Sequence, residues 1–118
     1  MKFENLKKLR DGQFRRLTGV KQKTFAIMVE IIRQADKTKK ALGGRPNKLS
    51  IEERILITLE YLREYRTYAH IGLSYGLSEG AAFQNIRFVE DTLVESAFAC
   101  DSILLREFIT VNFQDLKN

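Results

Sequence analysis

The sequence predicts an all-α fold: a tri-helical core, preceded by a small amino-terminal helical region and followed by a carboxy-terminal helix. Three observations carry that expectation. Apolar residues recur at three- and four-residue spacing through most of the chain, which is the period of a helix with one buried face. Chain breakers are sparse, with one proline and seven glycines in 118 residues. Residues 67–89 hold a short helical pattern up to Ser74, a Tyr-Gly-Leu reversal, and a second pattern that Ser78 can cap. Two helices joined by such a reversal make a helix-turn-helix, in which one helix braces the DNA backbone and the next enters the major groove.

The elements follow in order. Phe3, Leu6 and Leu9 share one edge of a short helix. Asp11 stands where it can cap a second, carrying Phe14 and Leu17, and Gly19 ends it. From Lys21 to Ala35, Phe25, Met28, Val29 and Ile32 mark an amphipathic helix whose other side carries Lys21, Lys23, Glu30 and Arg33. Lys37 to Lys48 has no apolar periodicity, and its two glycines and proline mark a loop. Residues 1–42 therefore form a region of basic helices, and residues 43–49 a Gly-Arg-Pro linker.

Ser50-Ile-Glu-Glu53 is a capping box, with each side chain placed to bond the other residue's amide. The helix it opens, 51–65, carries Ile51, Ile55, Leu56, Leu59 and Leu62 on one stripe. Thr67 caps the next helix, 68–74, whose packing positions are Tyr68, Ile71 and Gly72. Gly76 sits at the reversal, where positive φ is favoured. In the helix over 79–95, Ala82, Ile86, Val89 and Leu93 repeat at helical spacing and face the core. The core thus spans residues 50–95 and a tail spans 96–118. In the tail, Leu104, Leu105, Phe108 and Ile109 suit a helix started by Asp101 or Ser102. Phe108 to Phe113 also alternates as a strand would, but the helix is the expectation.

Charge is unevenly distributed. Residues 1–48 carry fourteen Lys or Arg against four Asp or Glu, a balance of +10, and the remainder carries −5. A basic amino-terminal half suits a polyanion such as nucleic acid, and it also suits a plain solvated surface. No apolar run is long enough to span a bilayer, so no membrane partner is expected. The first residues are too charged for a signal peptide, and a lone cysteine, Cys100, fits a reducing compartment. A cytoplasmic location follows.

Catalytic signals are weak. His70 is the sole histidine, so no His-His or His-Cys set is available for zinc. Glu90 and Asp91 are adjacent on a helix and diverge, as do Glu52 and Glu53, and no glycine-rich phosphate loop occurs. Neither an enzyme, a metal nor a cofactor is expected. Binding residues are easier to place. With Ala82, Ile86 and Val89 inward, the opposite face of the second helix holds Glu79, Gly80, Phe83, Gln84 and Arg87. Gln84 can pair with an adenine edge, Arg87 with guanine or a phosphate, and Phe83 with a thymine methyl. A plain solvent face is the competing reading, since Glu79 repels phosphate and Gly80 offers no side chain. Arg45, in Gly44-Arg45-Pro46, can lie in a minor groove, but a flexible basic linker is the favoured reading. A linker beside a helix-turn-helix is well placed to contact DNA, with Lys37, Lys39, Lys40 and Lys48 then on phosphates. Tyr61, Tyr65, Tyr68 and Tyr75 gather at the helix junctions as packing residues, and Tyr68 can also reach a phosphate.

Several blocks carry a family resemblance. Phe14-Arg-Arg-Leu-Thr-Gly-Val20, Thr24-Phe25, Gly44-Arg-Pro-Asn-Lys-Leu-Ser50 and Leu59-Glu-Tyr-Leu-Arg-Glu-Tyr-Arg-Thr-Tyr68 resemble the amino-terminal region of bacterial insertion-sequence transposases. The likeness continues through Ile71-Gly-Leu-Ser-Tyr-Gly-Leu-Ser-Glu79 and Ile86-Arg-Phe-Val-Glu-Asp-Thr-Leu93, so it covers roughly residues 10–95. This region is similar to the helix-turn-helix domain that precedes a DDE-superfamily endonuclease domain. The resemblance implies binding to the terminal inverted repeats of a mobile element, with the recognition-helix role on Ser78 through Arg87. Arg45, Lys48, Thr67 and Tyr68 are the further candidate DNA-binding residues read from the sequence itself. Gly80 and Ala81 stand where the family often has small hydroxyl residues, and Gln84 where arginine is common.

The implied partners are double-stranded DNA, a separate or intact transposase catalytic subunit, and a second copy in a homodimer. Since no DDE triad occurs, the chain is expected to be a split reading frame or a truncated remnant, without nuclease activity of its own. Two alternatives stand beside this reading. One is a small transcription regulator on a palindromic operator. The other is an interaction module that pairs with an intact transposase through Leu104, Leu105, Phe108 and Ile109.

Overall fold

The computed structural model describes residues 6–41, 47, 49–64, 66–99 and 103–112. Six helices run through them: α1 (Asp11–Thr18), α2 (Gln22–Ala41), α3 (Ile51–Glu64), α4 (Tyr68–Tyr75), α5 (Glu79–Ala99) and α6 (Ile103–Asn112). The fold is all-α, and no strand occurs among the described residues. Phe3, Gly44, Arg45, Pro46, Lys48, Tyr65, Cys100, Asp101, Ser102 and Phe113 lie outside them, as does the Leu104 side chain.

Local chemistry sets most of the helix ends. Gly19 closes α1 at φ 87°, its amide bonding the Arg15 carbonyl at 2.8 Å, while Arg63 of α3 donates to the Arg16 carbonyl at 2.8 Å. The capping box at α3 forms reciprocally, with the Glu53 amide on Ser50 Oγ at 3.2 Å and the Ser50 amide on Glu53 Oε1 at 3.3 Å. Asp11 does not cap α1; Arg10 precedes that helix without a side-chain cap. The Asp11 carboxylate instead accepts from the Gln22 amide at 2.9 Å, so it satisfies a free N–H at the start of α2. Spacing along the sequence cannot reveal a cap that depends on the α1–α2 corner folding back.

Two helices are longer than expected. α2 continues through Lys37–Lys40 to Ala41, where the sequence reads as loop. Asp36, buried, anchors the extension through Arg54 Nη1 at 2.8 Å and Lys40 Nζ at 3.5 Å. Lysines in the last turn also complement the negative end of the helix dipole. α5 likewise continues to Ala99, past the expected end near Glu95.

The buried residues form two clusters. Leu49, Ile57, Ile71, Ala82 and Ile86 make the smaller one, between α3, α4 and the first half of α5. The larger joins Phe14, Phe25, Met28, Ile32, Ile55, Leu56, Leu59, Val89, Leu93, Leu105 and Ile109, drawn from α1, α2, α3, α6 and the second half of α5. α3 and α5 therefore serve both, and every residue of α3 from Arg54 to Glu60 is buried. Within the tail Ile103–Asn112 is helical, and Leu105 and Ile109 are buried, at 0% and 1% exposure. Those two side chains pack into the chain's own core and so are withdrawn from a pairing surface, while Phe108 is half-buried. No helix among the described residues is long and apolar enough to cross a membrane.

Candidate nucleic-acid interface

The geometry of α4–turn–α5 follows from its glycines and caps. Thr67 Oγ1 accepts from the His70 amide at 3.1 Å, and Ser78 Oγ accepts from the Ala81 amide at 3.1 Å. Both hydroxyls are thereby committed to the two helix starts. Gly76 takes φ 71°, and the Leu77 amide reaches back to the Gly72 carbonyl at 2.7 Å. Gly72 is the close-approach point: a Cβ there would stand 2.6 Å from the Leu77 carbonyl oxygen.

Ile71, Ala82 and Ile86 are fully buried behind this turn, which fixes the phase of α5. Gly80, Gln84 and Arg87 consequently lie on exposed positions, as helical spacing expects, and so does Glu79. Arg87 Nε is 3.5 Å from Asp91 Oδ2, an i,i+4 pair whose side chains are both 55% exposed. Asp91 thus brings a negative charge onto the same face, which the sequence reading weighed only as a metal ligand.

Phe83 departs from a free outer position. It is 44% exposed and meets the Tyr68 ring edge-on at 5.2 Å, while Tyr68 stacks on Tyr61 at 4.7 Å. Burial, then the hydrogen bond and charge of Tyr61, then Glu90, push the Tyr68 hydroxyl up to about 12. Tyr68 is therefore a neutral hydroxyl at physiological pH. Burial and the Glu60 carboxylate likewise push the Tyr75 hydroxyl up. Arg45 and Lys48 lie outside the described residues. His70 is exposed, and the described residues hold no group of three His, Cys, Asp or Glu able to share a metal ion.

The other flank of α5 carries contacts that the sequence reading missed. Asn47 Nδ2 donates to Asn85 Oδ1 at 2.8 Å, and Asn85 Nδ2 donates to the Ala81 carbonyl at 2.8 Å. Lys39 Nζ lies 4.8 Å from the centroid of the Phe88 ring. No helical period signals the Asn47–Asn85 and Lys39–Phe88 pairs, because each joins segments 38 or more residues apart.

Residues 47–98 match the family model described as the helix-turn-helix of DDE superfamily endonuclease. Over 96 residues the chain is also 45% identical to a probable transposase for insertion sequence element IS702 from Microchaete diplosiphon. Residues 47–98 carry the helix-turn-helix of the DDE superfamily endonuclease type. The match to the IS702 relative takes in 81% of this chain but only 34% of the relative, so the chain spans about a third of that protein's length. No solved structure matches. The family segment runs from Asn47 through nearly all of α5, and leaves α1, α2 and α6 outside it.

Proposed function

We propose that this chain binds double-stranded DNA at the terminal inverted repeats of a mobile element, as the non-catalytic DNA-binding part of a transposase. The observation that carries the reading is α5 itself. Its inner face is locked by Ala82 and Ile86, so Gln84 and Arg87 are held outward within a segment matching the transposase helix-turn-helix. A helix held this way fits the major groove. Gln84 reads an adenine edge and Arg87 a guanine or an adjacent phosphate. Phe83, propped by Tyr68, borders a thymine methyl, and the Tyr68 hydroxyl turns from Tyr61 to reach backbone phosphate. Thr67 and Ser78 hold the two helix starts toward the backbone, and Arg45 and Lys48 add contacts from the preceding segment.

On this reading the chain works in the bacterial cytoplasm, on the nucleoid. Strand cleavage then belongs to a DDE endonuclease domain acting with it, either on the same polypeptide or as a separate catalytic subunit, and binding at both ends of an element favours a homodimer. The test pairs protein variants with base substitutions in the repeat. Gln84→Ala and Arg87→Ala each lower the preference for the native base pair by about 1–3 kcal/mol at one position and leave the others unchanged. Uniform weakening at every position would instead make both residues backbone contacts and remove the base-reading assignment.

A further inference from the structure

We infer that the basic end of α2, through Lys37 and Lys39, is a second phosphate-binding arm of the DNA surface, held in fixed position beside α5. This inference rests on the DNA-binding reading, but it concerns a helix outside the family segment. In sequence these lysines belong to a loop; in the structure they occupy the last turns of a twenty-residue helix.

Two independent contacts fix that end against α5. One is direct: Lys39 Nζ stands 4.8 Å from the Phe88 ring centroid. Phe88 lies four residues beyond Gln84 on α5, and residues so spaced are neighbours on a helix surface, about 5–6 Å apart between Cβ atoms. The Lys39 ammonium thus sits over a side chain one helical turn along α5 from the one proposed to read bases. The other is a polar relay. Asp36 binds Arg54 at 2.8 Å, and Arg54 Nε donates to the Leu49 carbonyl at 3.3 Å. The Leu49 amide donates to Asn47 Oδ1 at 2.9 Å, and Asn47 passes the chain to Asn85 of α5 at 2.8 Å.

The placement has a direct consequence. The major groove is about 12 Å wide and only just admits a helix, so whatever stands beside an inserted helix meets a phosphate ridge. The carboxy-terminal end of a helix carries about half a negative charge, which by itself repels phosphate. Lys37, Lys39 and Lys40 outweigh it. Lys40 is partly engaged by Asp36 at 3.5 Å, which leaves as exposed cations of the arm Lys39, beside Phe88, and Lys37, on the other flank of the same helix end.

The experiment compares two double variants of the full chain that remove equal charge. Lys37→Gln/Lys39→Gln alters the arm, whereas Lys21→Gln/Lys23→Gln alters the opposite end, about 25 Å away at 1.5 Å per residue. Affinity for an inverted-repeat duplex and for a scrambled duplex is measured across a salt series. The arm variant is expected to flatten the slope of log K against log salt by about 1.8, roughly 0.9 per phosphate contact, equally on both duplexes. The control keeps the wild-type slope, and Lys37→Arg/Lys39→Arg restores it. Equal flattening by both double variants, or by neither, overturns the arm while wild-type binding upholds the domain. Absence of DNA binding by the wild-type chain refutes the underlying reading as well.

Discussion

Arg87 and Asp91 show how finely a single side chain sets the character of the binding face. Their 3.5 Å pair is exposed, so it contributes about 0–1 kcal/mol and yields readily to a phosphate or a guanine edge. On the proposed reading Asp91 also places a negative charge against the DNA backbone. Asp91→Asn is therefore expected to tighten DNA binding several-fold while moving the melting temperature little, measured by anisotropy and thermal melts. Weaker binding by that variant would mean that Asp91 holds Arg87 in its productive rotamer. At this scale the sequence was informative wherever helical phase decides. Ala82 and Ile86 set the inward direction, and the exposure of Gln84 and Arg87 follows from it. Phe83 was less legible, because its contact with Tyr68 depends on how α4 crosses α5. Asn85 was illegible: only a partner from residue 47 distinguishes it from any other polar residue on a helix flank.

Among the elements, the turn and the end of α2 carry the constraints. Gly72 must lack a Cβ, since one would stand 2.6 Å from a backbone oxygen that cannot move without opening the turn. Gly72→Ala is expected to cost about 2–3 kcal/mol, the upper range of overpacking, and to displace α5 from its DNA-binding pose. A denaturant titration checks the first effect and DNA affinity the second. The Asp36–Arg54 pair joins α2 to α3 with both residues buried. Burial raises the Asp36 carboxyl, but the Arg54 hydrogen bond and charge, with Lys40, outweigh it and hold the group below its ordinary value. Asp36→Ala leaves a buried guanidinium uncompensated and should cost about 3 kcal/mol, again by denaturant titration. The capping box, Thr67, Gly19 and Gly76 were all legible because their chemistry is local. The extension of α2 was not, because its anchor is tertiary: a lysine-rich stretch lacks the apolar period, and Arg54 gives no sign of pairing eighteen residues upstream.

Across the whole molecule, α3 and α5 are shared by two packed clusters, so the helix-turn-helix and the flanking helices form one mechanical unit. Glu90 lies buried on the shared helix, and burial raises its carboxyl above the ordinary value of 4.5, with Asp91 adding to the shift and Arg87 opposing it. The folded state therefore holds that proton at a pH where the unfolded chain has released it. Its stabilising effect is complete below the ordinary value and is lost as pH rises through the raised one. Glu90→Gln should raise the melting temperature by a few degrees at pH 7, a change of roughly 1 kcal/mol, with the gain fading toward pH 4. An equal gain at both pH values would assign the effect to packing. That the chain is all-α and contains a helix-turn-helix was legible throughout, since period and caps are local. That α6 closes the larger cluster was not, because an apolar helix face looks the same whether its partner lies within the chain or outside it.

The central claim is that α5 reads sequence rather than merely adhering to DNA. Its most direct test is the affinity of the wild-type chain for two equal-length duplexes at physiological salt, one carrying the inverted repeat that flanks its coding sequence and one scrambled. Two base contacts at about 1–3 kcal/mol each predict roughly hundredfold tighter binding to the repeat. Equal affinity for both would contradict the account, leaving the basic amino-terminal half as the only surface that meets DNA.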